Sequence, residues 1–310
     1  MTQPLDAYRR ILVIKLGALG DFVQAMGPAA AIRRAHPSAK ITLLTTKAYA
    51  DLGRAAPYFD EVWIDKRPKF LDVAGWIGLA RQLWSGGFER VYDLQTSDRS
   101  SFYYRLLGRV EWSGIAAGSS HPHANPNRDH MHTLDRQRDQ LRMAGIEDVP
   151  PPDLSWAARQ GPGLDLPERF LLMVPGGSAH RPEKRWPVES YGELAAWAEG
   201  KGIATIILGG DIERPLALAI RTRAPRAIDL TGRTSFGEIV GLAARAVHAV
   251  GNDTGPMHLA AAGGAPSTLL YSAASDPALT QPYGASVTVL RRGNLSDLKV
   301  EEVAATLAIR

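Results

Sequence analysis

Residues 11–21 read Ile11-Leu12-Val13-Ile14-Lys15-Leu16-Gly17-Ala18-Leu19-Gly20-Asp21. The opening four are apolar and mostly β-branched, the pattern of a strand buried on both faces of a parallel sheet. A glycine-punctuated turn follows, and the apolar spacing from Phe22 to Ala35 predicts a helix that His36-Pro37 stops. Ile41–Leu44, Glu61–Ile64 and Arg90–Leu94 read as further strands, with a helix over Val73–Trp84 between the last two. Strand, turn, helix, strand is the grammar of an α/β layer with a parallel sheet.

The alternation breaks between Val149 and Pro167, where Pro150, Pro151, Pro152, Gly161, Pro162, Gly163 and Pro167 crowd together, and then restarts. Strands are expected at Phe170–Val174, Ala204–Leu208, Ala227–Leu230, Val247–Val250 and Ser267–Tyr271. Helices are expected at Val188–Gly200, Pro215–Arg223, Phe236–Ala244, Met257–Ala262 and Leu298–Leu307. Two α/β domains are therefore expected, residues 1–155 and 156–310, with the last helix free to pack back on the first.

Composition removes whole classes of chemistry. The 310 residues contain no cysteine, which excludes disulfides, thiolate zinc sites and a cysteine nucleophile. A 45% hydrophobic and 22% charged content belongs to a globular protein. The surplus of 36 Lys+Arg over 32 Asp+Glu is small and contains no long basic block, so nucleic acid is not an expected partner. The longest uncharged run, Thr254–Ser275, is broken by glycines and prolines and does not read as a membrane span. The expectation is a soluble, cytoplasmic chain.

Several strand-exit turns carry residues suited to an anionic ligand, and open α/β sheets bind ligands at the carboxyl ends of their strands. Val174-Pro175-Gly176-Gly177-Ser178-Ala179-His180 offers backbone N–H groups and a hydroxyl, and Lys184 and Arg185 follow with positive charge. Trp186 reads equally as a core anchor or a stacking surface. In Gly251-Asn252-Asp253-Thr254-Gly255-Pro256-Met257-His258, Asp253 or Thr254 can cap a helix opened by Pro256, whose positive end suits a diphosphate. His258 falls in that first turn, though an isolated histidine is usually a satisfied structural one. Gly209–Glu213 and Asp229–Ser235, the latter containing Thr234, add two more turns on the same edge. No G-x-G-x-x-G or Gly-Lys-Ser/Thr motif is present, which argues against a dinucleotide enzyme and a P-loop. Asp21, taken alone, reads as an acid placed favourably at a helix start. His121, His123, His130 and His132 lie among Pro and Asn without zinc-ligand spacing, so residues 119–132 read as a mobile loop and no metal is expected.

Lys15–Asp21, Lys184-Arg185-Trp186-Pro187, Asp229–Gly232 and Asp253–His258 together resemble the heptosyltransferases of lipopolysaccharide core synthesis, glycosyltransferase family nine. His132–Arg136 is similar to the family's helix near the end of the first domain. The resemblance runs from Ile11 to about Gly284. It implies a GT-B fold, two Rossmann-like domains facing across a central cleft, and inverting, metal-independent transfer of a heptose from an ADP-linked donor. No cofactor is implied beyond that nucleotide-sugar substrate. The acceptor implied is a lipid-linked oligosaccharide, which places the enzyme at the cytoplasmic face of the inner membrane.

Residue by residue, Asp21 falls on the general base and Lys184 on the lysine that meets the donor phosphates. Asp253, Thr254, Gly255 and His258 fall on the donor-binding segment, and Glu213 near the ribose. Gly17, Gly20, Gly177, Ser178, His180, Arg185 and Thr234 complete the expected donor set. The resemblance thus reverses the reading of Asp21. A different nucleotide-sugar donor, or an idle nucleotide-binding scaffold on the same fold, remain as alternatives.

Overall fold

A computed structural model describes residues 4–159, 163, 165–177 and 180–307. By contacts the chain divides into two compact units, Met1–Pro152 and Asp153–Arg310.

The first unit runs β1 (Arg10–Ile14), α1 (Leu19–Gln24), α2 (Met26–Ala35), β2 (Lys40–Thr45), α3 (Ala50–Ala55) and β3 (Glu61–Ile64). It continues α4 (Val73–Ser85), β4 (Arg90–Asp93), α5 (Asp98–Leu107), β5 (Glu111–Gly114), β6 (His121–Pro122) and α6 (Thr133–Met143). The strands form a sheet in the order β3-β2-β1-β4-β5-β6, every pair parallel. Leu12, Ile14, Leu44 and Val91 of the sheet pack with Leu79 and Leu83 of α4 and Tyr103 of α5.

The second unit runs β7 (Phe170–Val174), α7 (Val188–Gly200), β8 (Ala204–Ile207), α8 (Arg214–Arg223), β9 (Ile228–Asp229) and α9 (Phe236–Ala243). Then follow β10 (His248–Asn252), α10 (Gly255–Ala262), β11 (Ser267–Tyr271), α11 (Pro277–Thr280), β12 (Val287–Arg291) and α12 (Val300–Ala304). Its sheet order is β12-β11-β10-β7-β8-β9, again parallel throughout. In each sheet the strand order reverses beside the unit's first strand, between β1 and β4 and between β7 and β10. Such a reversal leaves a crevice at the strands' carboxyl ends, because the two connections leave toward opposite faces.

Three sequence expectations change. The helix expected over Phe22–Ala35 is two, parted at Ala25. Pro28 cannot donate to the Gln24 carbonyl and its ring would strike it, so the first turn must end there. The segment 119–132, expected as a loop, holds β6 and a short 3-10 turn, and three of its four histidines have side-chain partners within the fold. His121 Nε2 meets Glu111 Oε2 at 3.2 Å, His123 Nε2 meets Asp139 Oδ2 at 3.0 Å, and His132 Nδ1 caps α6 by accepting from the Leu134 N–H.

The expected linker is also partly packed. The Leu154 N–H donates to the Ala262 carbonyl and the Arg159 N–H to that of Gly237. Arg159 passes so close to α9 that a Cβ on Gly241 would lie 1.8 Å from its carbonyl oxygen, which only glycine permits. The last helix, for its part, contributes to the second unit. Leu298, Val303 and Leu307 are buried in the second unit's own core with Trp186 and Leu194. Among the described residues, no helix is long and apolar enough to cross a membrane.

Candidate functional site

Most of the sequence-expected residues lie on turns at the carboxyl edges of the two sheets. In the first unit β1 ends at Ile14, level with Leu44 of β2 and Asp93 of β4. Lys15 continues it as a buried cation whose Nζ donates to the Leu94 carbonyl at 3.0 Å. The turn is held from below by Gln95, whose Oε1 accepts from the N–H groups of Leu16 and Gly17 at 2.9 and 3.2 Å. Gly17 has φ +137°, a conformation L side chains rarely adopt, and a Cβ there would lie 2.7 Å from the Tyr49 ring. Both facts require glycine.

Gly20 and Asp21 then fall in the first turn of α1, where Asp21 is half-buried. Burial pushes the Lys15 ammonium below the usual lysine range, with the Asp21 charge opposing, Arg136 adding to the fall and Asp93 again opposing. Arg136, on α6, is lowered by burial and by Arg128, with Asp21 opposing. Asp21 therefore stands within the field of two cations, one fixed beneath its turn and one on α6. Beside them Asp93 is pushed up to about 6, chiefly by burial, despite the Thr96 and Gln95 N–H groups that its Oδ1 accepts. Gln95 and Asp93 carry no motif that the sequence exposes; their role appears only once β4 lies next to β1.

In the second unit the loops after β7 and β10 meet at the crevice. Lys184 Nζ donates to Asp253 Oδ2 at 2.9 Å, and the Ser275 hydroxyl donates to the same oxygen at 2.8 Å. Asn252, fully buried, ties the loops together. Its Nδ2 donates to the carbonyls of Pro175 (2.9 Å) and Gly176 (3.0 Å). Its Oδ1 accepts from the Trp186 N–H (3.0 Å) and the Tyr191 hydroxyl (2.9 Å). Asn252 is quoted in the sequence motif but carries no sequence signal of this role.

Trp186 is settled as a core anchor: it is buried, packs edge-to-face on Tyr191, and its Nε1 donates to the Leu298 carbonyl. Arg185 reaches back to the Gly177 carbonyl at 2.6 Å. Glu213 lies against the same loop, where a Cβ on Gly176 would come within 2.7 Å of its Cγ, and its Oε2 accepts from the Gly210 N–H.

α10 starts as the sequence expects but is not capped as expected. Thr254 occupies the N-cap without a side-chain hydrogen bond, and the Asp253 carboxylate is turned to Lys184 and Ser275 instead. The helix therefore presents a first turn with no side-chain cap beside a lysine, with Gly255 half-buried at its start. His258, the fourth residue of the helix, is buried. His180 is exposed, and Thr234 is half-buried in the turn before α9; neither is drawn to the Lys184–Asp253 pair by a hydrogen bond. Ser178 lies outside the described residues. No group of three His, Asp or Glu side chains among the described residues is placed to hold a metal ion.

The family model described as glycosyltransferase family 9 (heptosyltransferase) matches residues 76–307. Lipooligosaccharide heptosyltransferase 2 of Haemophilus influenzae is 34% identical over 131 residues, 41% of this chain; that match spans 38% of the relative's own length. Among solved structures, the glycosyl transferase family 9 protein of Veillonella parvula superposes with a TM-score of 0.85 at 23% identity, covering 98% of this chain and 97% of that one. Escherichia coli heptosyltransferase WaaC, solved with ADP, gives 0.78 at 21% identity, covering 96% of this chain and 98% of WaaC. These likenesses establish the fold as that of two Rossmann-like GT-B domains with six parallel strands each. Because the family model matches about three quarters of the chain, the chain belongs to glycosyltransferase family 9.

Proposed function

We propose that this protein transfers a heptose, or a closely related sugar, from an ADP-linked donor to a lipopolysaccharide core or similar lipid-linked glycan, with inversion and without a metal ion. The observation that carries this reading is the pairing of Lys184 with Asp253 beside the uncapped start of α10. A leaving nucleoside diphosphate gathers negative charge, and a lysine together with a helix N-terminus offers the compensating positive field. The ADP complex of WaaC supports adenine as the base.

In the step itself the acceptor hydroxyl gives its proton to an Asp21 carboxylate oxygen as its oxygen bonds to the anomeric carbon. The bond from that carbon to the diphosphate oxygen breaks, and the electron pair leaves with the diphosphate beside Lys184. Inversion needs a base rather than a nucleophile, and a carboxylate at a turn held by Gln95 suits that role. Gly177, Arg185, Thr254, Gly255, His258 and Glu213 complete the donor site in this reading, with Gly17 and Gly20 shaping the turn that carries the base. Ser178, His180 and Thr234 are assigned to the donor by the family resemblance.

Calorimetry with ADP, UDP and GDP tests the donor: ADP binding well above the other two is expected, and preference for UDP or GDP would replace the donor. Transfer from ADP-heptose in the presence of EDTA, with the anomeric configuration of the product read by NMR, tests the chemistry. Tight ADP binding without transfer to any core acceptor would favour an idle scaffold.

A further inference from the structure

α4 and the segment leading into it gather five of the nine exposed large hydrophobic side chains among the described residues. Phe70 is 91% and Leu71 85% exposed, and Val73 and Ile77 follow on the helix with 68% and 47%. α4 buries one face through Leu79, Ala80 and Leu83, so a helix of an ordinary domain would be polar on the other. Here the other face continues apolar: Val73, Ile77 and Trp84 recur at helical spacing on it. The Trp84 ring is 60% exposed although its Nε1 donates to the Leu106 carbonyl. An apolar ring with its polar atom satisfied suits a boundary between water and hydrocarbon.

Charge supplies the second observation. Residues 66–84 carry Lys66, Arg67, Lys69 and Arg81 against the single acid Asp72, so this short segment holds most of the chain's formal surplus of +4. Among the described residues none of these four cations forms an ion pair, and all four are exposed. Asp72 is occupied in capping α4, accepting from the Gly75 N–H. The segment is also held in shape. Asp65 Oδ1 accepts from the Arg67 N–H, and Arg99 donates to the Pro68 carbonyl while its guanidinium lies 5.2 Å over the Trp76 ring.

We propose that this surface, from Lys66 to Trp84, docks the protein on an anionic lipid bilayer, with Phe70 and Leu71 entering the headgroup boundary and the four cations meeting lipid phosphates. A second copy of the chain fits less well. A two-fold contact would set this patch on itself and bring uncompensated cations together. Apolar side chains ringed by cations match a membrane whose surface is both anionic and penetrable.

The basic edge also borders the candidate base. The Tyr49 ring that packs on Gly17 is raised by burial and by Asp21, with Arg67 opposing. A bilayer at this patch would therefore bring a lipid-borne acceptor to the turn carrying Asp21. That last consequence rests on the proposed function; the docking does not.

The full-length protein is sedimented with vesicles of phosphatidylglycerol mixed equally with phosphatidylcholine, and with vesicles of phosphatidylcholine alone. Binding to the anionic vesicles is expected. It should fall about tenfold or more in Phe70→Ser/Leu71→Ser and likewise in Lys66→Glu/Lys69→Glu. Both pairs are exposed, so their ADP affinity and their transfer to a delipidated acceptor sugar should match the parent protein. Equal binding to neutral vesicles, no binding by the parent protein, or unchanged binding by both double variants would overturn the proposal. So would self-association, removed by Phe70→Ser/Leu71→Ser, without vesicle binding. Vesicle binding with no transferase activity in any form would leave the docking standing and sink the proposed reaction instead.

Discussion

Lys184 and Asp253, sixty-nine residues apart in the chain, form an ion pair of 2.9 Å where the loops after β7 and β10 meet. Only 16% and 11% of the two side chains remain exposed, so the charges satisfy each other in a place where water does little. A bound diphosphate would compete with Asp253 for the ammonium. In the proposed reading Asp253 would keep the Ser275 hydroxyl as a partner when the ammonium turns to the diphosphate.

Lys184→Ala should therefore weaken ADP binding by about ten- to a hundredfold, the worth of a charge-assisted hydrogen bond. It should also destabilise the second unit, since Asp253 keeps a mostly buried charge without its cation. The double variant Lys184→Met/Asp253→Asn separates the two effects. Its urea midpoint should recover while its ADP affinity, read by calorimetry, stays low. Recovery of nucleotide binding in the double variant would make the pair purely structural.

Asp21→Asn keeps the size of the side chain and removes its basicity. Transfer should fall about a hundred- to ten-thousandfold, the usual range for a positioned general base. ADP affinity should change little, because in the proposed reading the diphosphate meets Lys184 and the start of α10, which belong to the other unit. Single-turnover kinetics with calorimetry on the same preparation checks both; near-normal turnover would remove Asp21 from the reaction.

Asn252→Ala deletes all four hydrogen bonds that join the β7 loop, Trp186 and α7. It leaves buried donors and acceptors unpaired, at about 1–3 kcal/mol each before relaxation. A loss of about 3 kcal/mol in urea unfolding is expected, together with a raised donor KM. Asn252→Asp should be no better, since a carboxylate would face the Pro175 and Gly176 carbonyls. A variant as stable as the parent would show that the loops hold their positions without this residue.

Acid should destabilise the protein well above the range where ordinary carboxylates titrate. His36 is buried and neutral, its Nδ1 donating to the Leu5 carbonyl while the Tyr92 hydroxyl donates to Nε2, and burial lowers it to about 4. His248 is likewise lowered to about 4 by burial, and His123 is lowered by burial. Below pH 6.5 the unfolded chain protonates these histidines and the native one does not, so stability is lost as pH falls. Asp93, raised to about 6, acts the other way: its native form takes a proton that the unfolded form declines until about 3.8. The histidines outnumber it. Between pH 6 and 4.5 stability should fall by about 1 kcal/mol per pH unit. His248→Asn should reduce that slope by about the same amount. Urea unfolding at stepped pH gives the answer, and a flat profile would contradict the neutral burial of His36 and His248.

The alternation of strands and helices was legible wherever apolar runs were short and bounded by glycine or proline. Glu61–Ile64, Phe170–Val174, Val188–Gly200 and Ser267–Tyr271 have the same bounds in the structure. The sequence reading left α3, α5, β5, β6, α11 and β12 without assignment. Glu111–Gly114 and His121–Pro122 are too short and polar to show a period, and become strands only because β4 offers an edge to pair with. The histidines of 119–132 suggested a loop for the same reason: their partners Glu111 and Asp139 lie 10 and 16 residues away.

By itself the sequence determined the two-unit α/β plan, the turns that carry Asp21 and Lys184, and the start of α10, because periodicity and turn chemistry act over a few neighbouring residues. Only the tertiary structure decided how those turns are held. Gln95 reaches Gly17, and Asn252 reaches Pro175 and Trp186, because parallel strands distant in sequence end side by side. It also decided that Thr254 leaves α10 uncapped and that α4 turns an apolar, cationic face outward. Hydrogen bonds and burial are properties of neighbours in space, and a linear pattern names the residues without saying which of them will meet.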